Sequence, residues 1–334
     1  MSAVLVDNYK RVHRDLRVSL TDRCSLRCTY CMPFDFKEWL PSEELLSKDE
    51  LIKVIEIAVA QGITEVRLTG GEPLLRPDIV EIVEGINSLS NAPELSMTTN
   101  GVALEKYAQQ LADAGLDRIN ISLDTLDWQR FKRLTFRDRY DDVLKGIVAA
   151  RNAGLSPIKV NTVLMRGIND DEAIPLLNWA LNEHLELRFI EQMPLDAGDK
   201  WTRSNFVTAD EIFKTLSSEF TLTPAQNRGS SPAEQFYINN GKQTVGIIAS
   251  VTRPFCSNCD RLRLTSDGQL RSCLFSNTET DLRTTLRNEQ LTLEEKEVLI
   301  ASLIKNTVKE KLPGHGINNP IFIKPSRPMS AIGG

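Results

Sequence analysis

Segments that read as strands and segments that read as helices alternate six times in the first two thirds of this chain. That alternation restricts the fold more than any other feature. Runs rich in apolar and β-branched residues at 16–20, 65–69, 94–97, 118–123, 158–164 and 186–190 read as strands. Between them, apolar residues at helical spacing mark 48–61, 79–89, 104–114, 140–153 and 172–183. Gly62, Gly115 and Gly154 stand where helix C-caps belong. Repeats of this kind build a parallel sheet, because each helix carries the chain back to start the next strand in the same direction. Right-handed crossovers then curl the sheet. Six units fall short of the eight of a closed barrel. The expected fold is therefore α/β, an incomplete (βα)6 TIM-type barrel over residues 1–195, open on one side. Its working face should lie at the C-terminal ends of the strands.

Beyond residue 195 the pattern changes. Residues 194–205 are polar and irregular. A helix is expected at 208–220 behind an N-cap Thr208, and a mobile loop at 226–232. Short strands follow at 234–238, 244–251 and 261–265, then helices at 280–286 and 292–308. Residues 196–312 are thus expected to form a smaller C-terminal domain. The stretch 313–334, rich in Gly and Pro, is expected to be a tail without regular structure. No apolar run approaches membrane-spanning length, and the start lacks the pattern of a secretory signal. A cytoplasmic protein is expected. The net charge of −5 comes without the clustered Lys and Arg of a nucleic-acid-binding surface, although single well-placed cations can still hold a small polyanion.

All 6 cysteines fall into two groups of three. Cys24, Cys28 and Cys31 are spaced C-x3-C-x2-C, and Cys256, Cys259 and Cys273 are spaced C-x2-C-x13-C. An odd number cannot close on itself in disulfides, and in a cytosolic chain such spacing points to metal or catalysis. Three thiolates can wrap one face of a cubane cluster and leave one iron open to a substrate. The alternative for the first group is structural zinc with His13 as fourth ligand, which fits the usual paired spacing less well. Gly70, Gly71, Glu72 and Pro73 follow the second strand. The glycines allow a ligand to approach the backbone, and Glu72 offers an acceptor for an ammonium group, though alone the motif reads as a tight turn. Arg261 and Arg263, two residues apart on a strand, face one side. Beside a cysteine group they suggest an anionic ligand; elsewhere they would mark a solvated edge.

C-x3-C-x2-C with Tyr30 before the third cysteine, placed after the first strand of a partial barrel, resembles the signature of the radical S-adenosylmethionine (SAM) superfamily. The resemblance implies a [4Fe–4S] cluster on Cys24, Cys28 and Cys31, its open iron chelated by the amino and carboxylate groups of SAM. It further implies SAM contacts from the Tyr30 backbone, Gly71, Glu72, Ser122 and Met193, the last of which would on its own be read as core packing. With the second cysteine group, Arg-Leu-Arg-Leu-Thr at 261–265 and a terminal Gly-Gly, residues 13–334 resemble the GTP 3′,8-cyclases of molybdenum cofactor biosynthesis. That likeness implies a second [4Fe–4S] cluster on Cys256, Cys259 and Cys273, holding the guanine ring, within the C-terminal domain. It implies GTP contacts from Arg17, Arg67, Thr98, Lys159, Arg261 and Arg263. Arg261, Arg263, Gly333 and Gly334 would serve catalysis, with the tail entering the active site. The reaction implied is hydrogen abstraction from C3′ of GTP and attack of that carbon on C8. The partners implied are GTP, SAM, an electron donor of flavodoxin or ferredoxin type and a downstream cyclic pyranopterin synthase. Neither nucleic acid nor membrane is implied, and the enzyme would be a monomer or homodimer. One departure is the segment 191–196, where relatives often carry Met-Asp-Val-Gly; it leaves the adenine contacts around Gln192–Asp196 open. Two other readings stay open: another radical SAM enzyme with an auxiliary cluster, such as a peptide-modifying one, and a zinc-stabilised binding protein.

Overall fold

The structure, a computed structural model, describes residues 4–32, 39–195, 201–225 and 228–333. The six expected strands form as β1 (Asp15–Ser19), β2 (Glu65–Thr69), β3 (Glu94–Thr99), β4 (Arg118–Ser122), β5 (Ile158–Leu164) and β6 (Glu186–Glu191). The five expected helices between them form too: α1 (Lys48–Ala60), α2 (Ile79–Asn87), α3 (Leu104–Asp113), α5 (Tyr140–Asn152) and α6 (Ala173–Asn182). Local chemistry sets their ends. Ser47 and Glu50 form a reciprocal capping box at the start of α1. Gly62, Gly115 and Gly154 take positive φ after α1, α3 and α5. On β5, Ile158, Val160, Thr162 and Leu164 are buried while Lys159, Asn161 and Val163 are half-buried, so the strand shows helices one face and the barrel interior the other.

Among the described residues of the barrel, one α-helix was not expected. It is α4 (Trp128–Thr135), capped by Asp127, whose side chain accepts from Arg130 N–H. Trp128, Phe131 and Leu134 at helical spacing were its signal.

The C-terminal third begins with α7 (Ala209–Leu216) behind its Thr208 cap, and adds β7 (Leu222–Pro224), β8 (Glu234–Ile238), β9 (Thr244–Ile248), β10 (Arg261–Leu264), β11 (Gln269–Arg271) and β12 (Thr280–Asp281). The expected helix at 280–286 is shorter, α8 (Arg283–Leu286), because residues 280 and 281 pair with β11. The long helix α9 (Leu293–Lys309) follows. The tail holds a single helical turn, α10 (Met329–Ile332), where no regular structure was expected. Of the expected loop 226–232, residues 226 and 227 lie outside the described residues; Arg228 ties its end by donating to Ser231 O at 3.0 Å and Pro232 O at 2.6 Å.

Among the described residues one 12-stranded sheet runs in the order β12-β11-β10-β1-β2-β3-β4-β5-β6-β9-β8-β7. β10 pairs with β1 and β9 with β6, both parallel, so the parallel array extends by one strand at each edge. Antiparallel strands flank it on both sides. The array does not close. The chain passes from β9 at one edge to β10 at the other through residues 249–260, and this span carries Cys256 and Cys259. No helix among the described residues is long and apolar enough to cross a membrane.

Candidate active site

The first cysteine loop leaves β1 and folds over the C-terminal ends of the parallel strands. Backbone hydrogen bonds hold it from two sides. Gly71 N–H donates to Thr21 O and Glu72 N–H to Arg23 O, both at 2.7 Å. Arg27 N–H donates to Thr135 O at 2.9 Å and Thr29 N–H to Leu134 O at 3.0 Å, so the end of α4 is the second support. A Cβ at Gly71 would come within 2.3 Å of Arg23 O, which is why a glycine stands there.

Cys24, Cys28 and Cys31 line one cavity of about 280 Å³. Burial, then Glu72, pushes the Cys24 thiol up to about 11. Burial, then Cys24, pushes Cys31 up to about 12, and Cys28 is raised well above the usual range by burial and by both partners. Thiols that disfavour one another's ionisation lie close together, and as thiolates they need cationic metal among them. An iron–sulfur cluster fits that need. Among the described residues, no three His, Cys, Asp or Glu side chains close on a point as ligands of a single metal ion would. His13 is not placed to complete the triad as a zinc site would require. It is buried, with Nε2 3.1 Å from Asp7 Oδ2, and Lys311 and Arg11 act on it rather than Cys24, Cys28 or Cys31.

Tyr30, Gly71, Ser122 and Met193 also line the cavity. Tyr30 Oη donates to Asp124 Oδ2 at 2.8 Å, and Val163 N–H donates to Asp124 at 2.9 Å. Burial outweighs these bonds and lifts Asp124 to about 6. Glu72 does not stand open to an ammonium group. Its carboxylate accepts from Thr99 Oγ1 at 2.6 Å, Asn100 N–H at 2.7 Å and Leu74 N–H at 3.1 Å, and burial holds it at about 7. The turn after β2 and the end of β3 present these buried donors, and the carboxylate satisfies them.

Within the barrel, parallel register sets Arg263, Arg17 and Arg67 side by side on β10, β1 and β2, with Arg261 opposite Asp15 two residues earlier. Arg17, Arg67, Arg261, Arg263 and Thr98 line the cavity. Burial, then Arg67, pushes Arg17 down to about 9; burial, then Arg17 and Arg261, pushes Arg263 down to about 9. Asp15 lies 3.6 Å from Arg17, and although burial opposes its ionisation the four arginines hold its carboxyl below the usual range. Four guanidiniums around one carboxylate leave an excess of positive charge. Nε of Arg17, Arg188 and Arg261 and Oδ1 of Asn161 are buried without a hydrogen-bond partner. Unmet buried donors beside excess positive charge are what an anionic ligand satisfies. Lys159 shares the face of Asn161 on β5 but pairs with Glu186 at 3.1 Å and does not line this cavity.

Cys256, Cys259 and Cys273 line the same cavity and an adjoining one of about 350 Å³. Burial raises the Cys259 thiol, but Arg261 and Lys311 outweigh it and hold it at about 7. Arg261 sits over the Phe255 ring, 4.5 Å from its centroid. Arg11 Nη1 donates to Cys256 O at 2.7 Å and Nη2 to Leu312 O at 2.7 Å, pinning the cysteine span to the chain beyond α9.

The tail lies against the cavity. Ile332 is buried in a cluster with Leu195, Val251, Leu274 and Phe275. Met329 lines the cavity, and the Ser330 backbone hydrogen-bonds Cys31. Gly333 O accepts from Arg263 Nη1. Gly334 lies outside the described residues.

Several residues lining the two cavities, Arg188, Asn161, Asp124 and Lys311 among them, were not singled out in the sequence. Arg188 and Asn161 could have been found, since residues two apart on β5 and β6 share the inner face. Asp124 follows Ser122 by two residues at the end of β4. Lys311, which touches the second triad, has no local signal; it reads as an ordinary cation after a surface helix.

Two family models cover most of the chain. Residues 18–180 match the radical SAM superfamily, and residues 185–317 match the family described as Molybdenum Cofactor Synthesis C. A GTP 3′,8-cyclase of Streptomyces coelicolor is 55% identical over 334 residues, covering 99% of this chain and 96% of that protein. GTP 3′,8-cyclases of Mycolicibacterium smegmatis and Corynebacterium glutamicum are 52% and 49% identical, each matching 99% of this chain and 92% and 89% of their own. Among solved structures, Streptococcus suis SuiB bound to S-adenosylmethionine has a TM-score of 0.59 at 14% identity, covering 91% of this chain and 76% of that one, a likeness of fold alone. With both family models in sequence and relatives so similar over nearly its whole length, the chain belongs to the GTP 3′,8-cyclase family of the radical SAM superfamily.

Proposed function

We propose that this chain converts GTP to (8S)-3′,8-cyclo-7,8-dihydroguanosine 5′-triphosphate, the first step of molybdenum cofactor biosynthesis. Radical SAM enzymes use SAM and an iron–sulfur cluster; the proposal adds a second cluster. One observation carries it: a single cavity is lined by two separate cysteine triads and five arginines, with Arg263, Arg17 and Arg67 in register. When bound, SAM and the first cluster supply a carbon radical that takes hydrogen from C3′ of GTP, and the second cluster supplies a seat for guanine and the electron that completes closure at C8.

The chain's own residues bind and orient. Cys24, Cys28 and Cys31 hold one cluster, and Cys256, Cys259 and Cys273 the other. Tyr30, Gly71, Ser122 and Met193 form the SAM wall, and Glu72 braces the turn beside it. Arg17, Arg67, Thr98, Arg261, Arg263 and Arg188 hold the nucleotide. Lys159 reaches the triphosphate by giving up Glu186. Gly333 orients Arg263, and Gly334 is assigned to the same catalytic role. The barrel walls and the tail keep water from the reacting carbon. Electrons come from a flavodoxin- or ferredoxin-type donor, and cyclic pyranopterin synthase takes the product. The reaction runs in the cytoplasm.

The test is anaerobic. Wild-type chain with both clusters, dithionite, SAM and GTP should yield 5′-deoxyadenosine and the cyclised nucleotide. A variant with Cys256, Cys259 and Cys273 all changed to Ala should hold about four irons instead of about eight and bind GTP weakly. Product formation by that variant at the wild-type rate would overturn the role given to the second triad.

A further inference from the structure

The second triad has a cationic neighbour that the arginine-lined cavity does not use. Lys311, two residues past α9, is 4% exposed and lines the adjoining cavity only. Its Nζ donates to Arg261 O at 2.7 Å and to Cys259 O at 3.3 Å, and lies 3.5 Å from Cys259 Sγ. The negative groups that act on it are Cys259 and Cys273 themselves. A buried ammonium held by two carbonyls and a sulfur is poorly compensated. A cluster on three thiolates would supply the missing negative charge. The first triad is surrounded differently, with the carboxylates of Glu72 and Asp124 bearing on it.

We propose that Lys311 is a positioning residue that acts through the second cluster, raising its reduction potential so that it stays charged with one electron until the ring closes. The inference rests on the two-cluster reading above. Reduction adds one negative charge next to Lys311. A positive charge and a hydrogen bond at a ligand sulfur therefore favour the reduced form over the oxidised one. The electrons balance: the flavodoxin- or ferredoxin-type donor reduces the cluster by one electron. After the C3′–C8 bond forms, that electron passes to the nucleobase radical together with a proton from water. The cluster returns oxidised and the nucleotide leaves as a closed-shell product.

The experiment compares wild type with Lys311→Met, Lys311→Gln and Lys311→Arg as full-length chains reconstituted anaerobically. Iron is counted first. About eight irons in wild type keeps the two-cluster reading, whereas about four overturns that reading and this inference together. Both clusters are then titrated potentiometrically with electron paramagnetic resonance detection, the first cluster serving as internal reference. In Lys311→Met the second cluster should show a reduced-to-oxidised ratio about tenfold lower at a fixed potential, which is about 59 mV for one electron. Lys311→Arg should restore it, and the first cluster and GTP affinity should not move. If Lys311→Met fails to retain the second cluster, Lys311→Gln, which keeps a donor without the charge, makes the comparison. An unchanged second-cluster potential in a neutral variant that holds about eight irons would overturn the inference.

Discussion

Arg17 has an arginine on either side at the same level of the sheet, Arg263 on β10 and Arg67 on β2. This placement sets binding against stability, because the cations repel one another until an anion arrives. Replacing Arg17 by Met removes a charge that burial and Arg67 already disfavour. Without nucleotide, the variant's unfolding midpoint should equal or exceed that of wild type, while its GTP affinity falls about 10- to 100-fold. GTP should accordingly raise the midpoint of wild type more than that of the variant. A lower midpoint with unchanged GTP affinity would show that Arg17 is a structural residue. His13 carries a different expectation. Burial, then Lys311, pushes its pKa from 6.5 to about 4, so the folded chain keeps it neutral where the unfolded chain protonates it. The stability this neutral ring contributes is complete above pH 6.5 and is lost as pH falls toward about 4, by at most about 1.4 kcal/mol per unit. His13→Gln keeps a donor for Asp7 but cannot titrate. Urea unfolding across that window should show a flatter pH slope for the variant; an identical slope would put the titrating proton elsewhere.

At the scale of elements, two glycines carry separable expectations. Gly71 lies where the cysteine loop and the turn after β2 exchange backbone hydrogen bonds, and a Cβ there would press on Arg23 O. Gly71→Ala should shift the loop, so iron at the first triad and SAM cleavage are lost while the second triad still loads. Gly333 has φ 81°, and a Cβ there would lie 2.9 Å from Thr69 Cγ2. Gly333→Ala should displace the tail from Arg263, leaving iron content and unfolding midpoint intact. Product formation should drop by about 100-fold, the scale of a 1 Å misplacement. Full activity in Gly333→Ala would make the tail a bystander. The elements themselves were legible to different degrees. Capping chemistry is local, so the start of α7 could be placed from Thr208 alone. Helix α4 escaped notice because it is short and carries Arg130, Lys132 and Arg133, which look like a solvated loop. Yet its last carbonyls hold the cysteine loop. The expected helix at 280–286 lost its first residues to a strand because pairing with β11, a tertiary event, overrode local preference.

The whole molecule shows where sequence reasoning reaches and where it stops. Six strand–helix units are local repeats, so an open barrel could be read from periodicity. That β10 would pair with β1, and β9 with β6, could not, because each strand carries its pattern but not the identity of its partner. This long-range pairing sends residues 249–260 across the open side and brings Cys256 and Cys259 to the cavity of the first triad. The cysteines stood out beforehand because cluster chemistry accepts few residue types. Arg188 and Lys311 did not, because a cation in a strand or after a helix is usually a surface residue. One cavity lined by two cysteine triads and by cations should bring C3′ of a bound GTP within reach of the radical formed from SAM. The most direct measurement is anaerobic turnover with GTP deuterated at C3′, reading the label in 5′-deoxyadenosine by mass spectrometry. One deuterium in 5′-deoxyadenosine, matched by its loss from the cyclised nucleotide, is the expected result. Unlabelled 5′-deoxyadenosine beside unreacted, fully deuterated GTP would contradict the placement of the substrate.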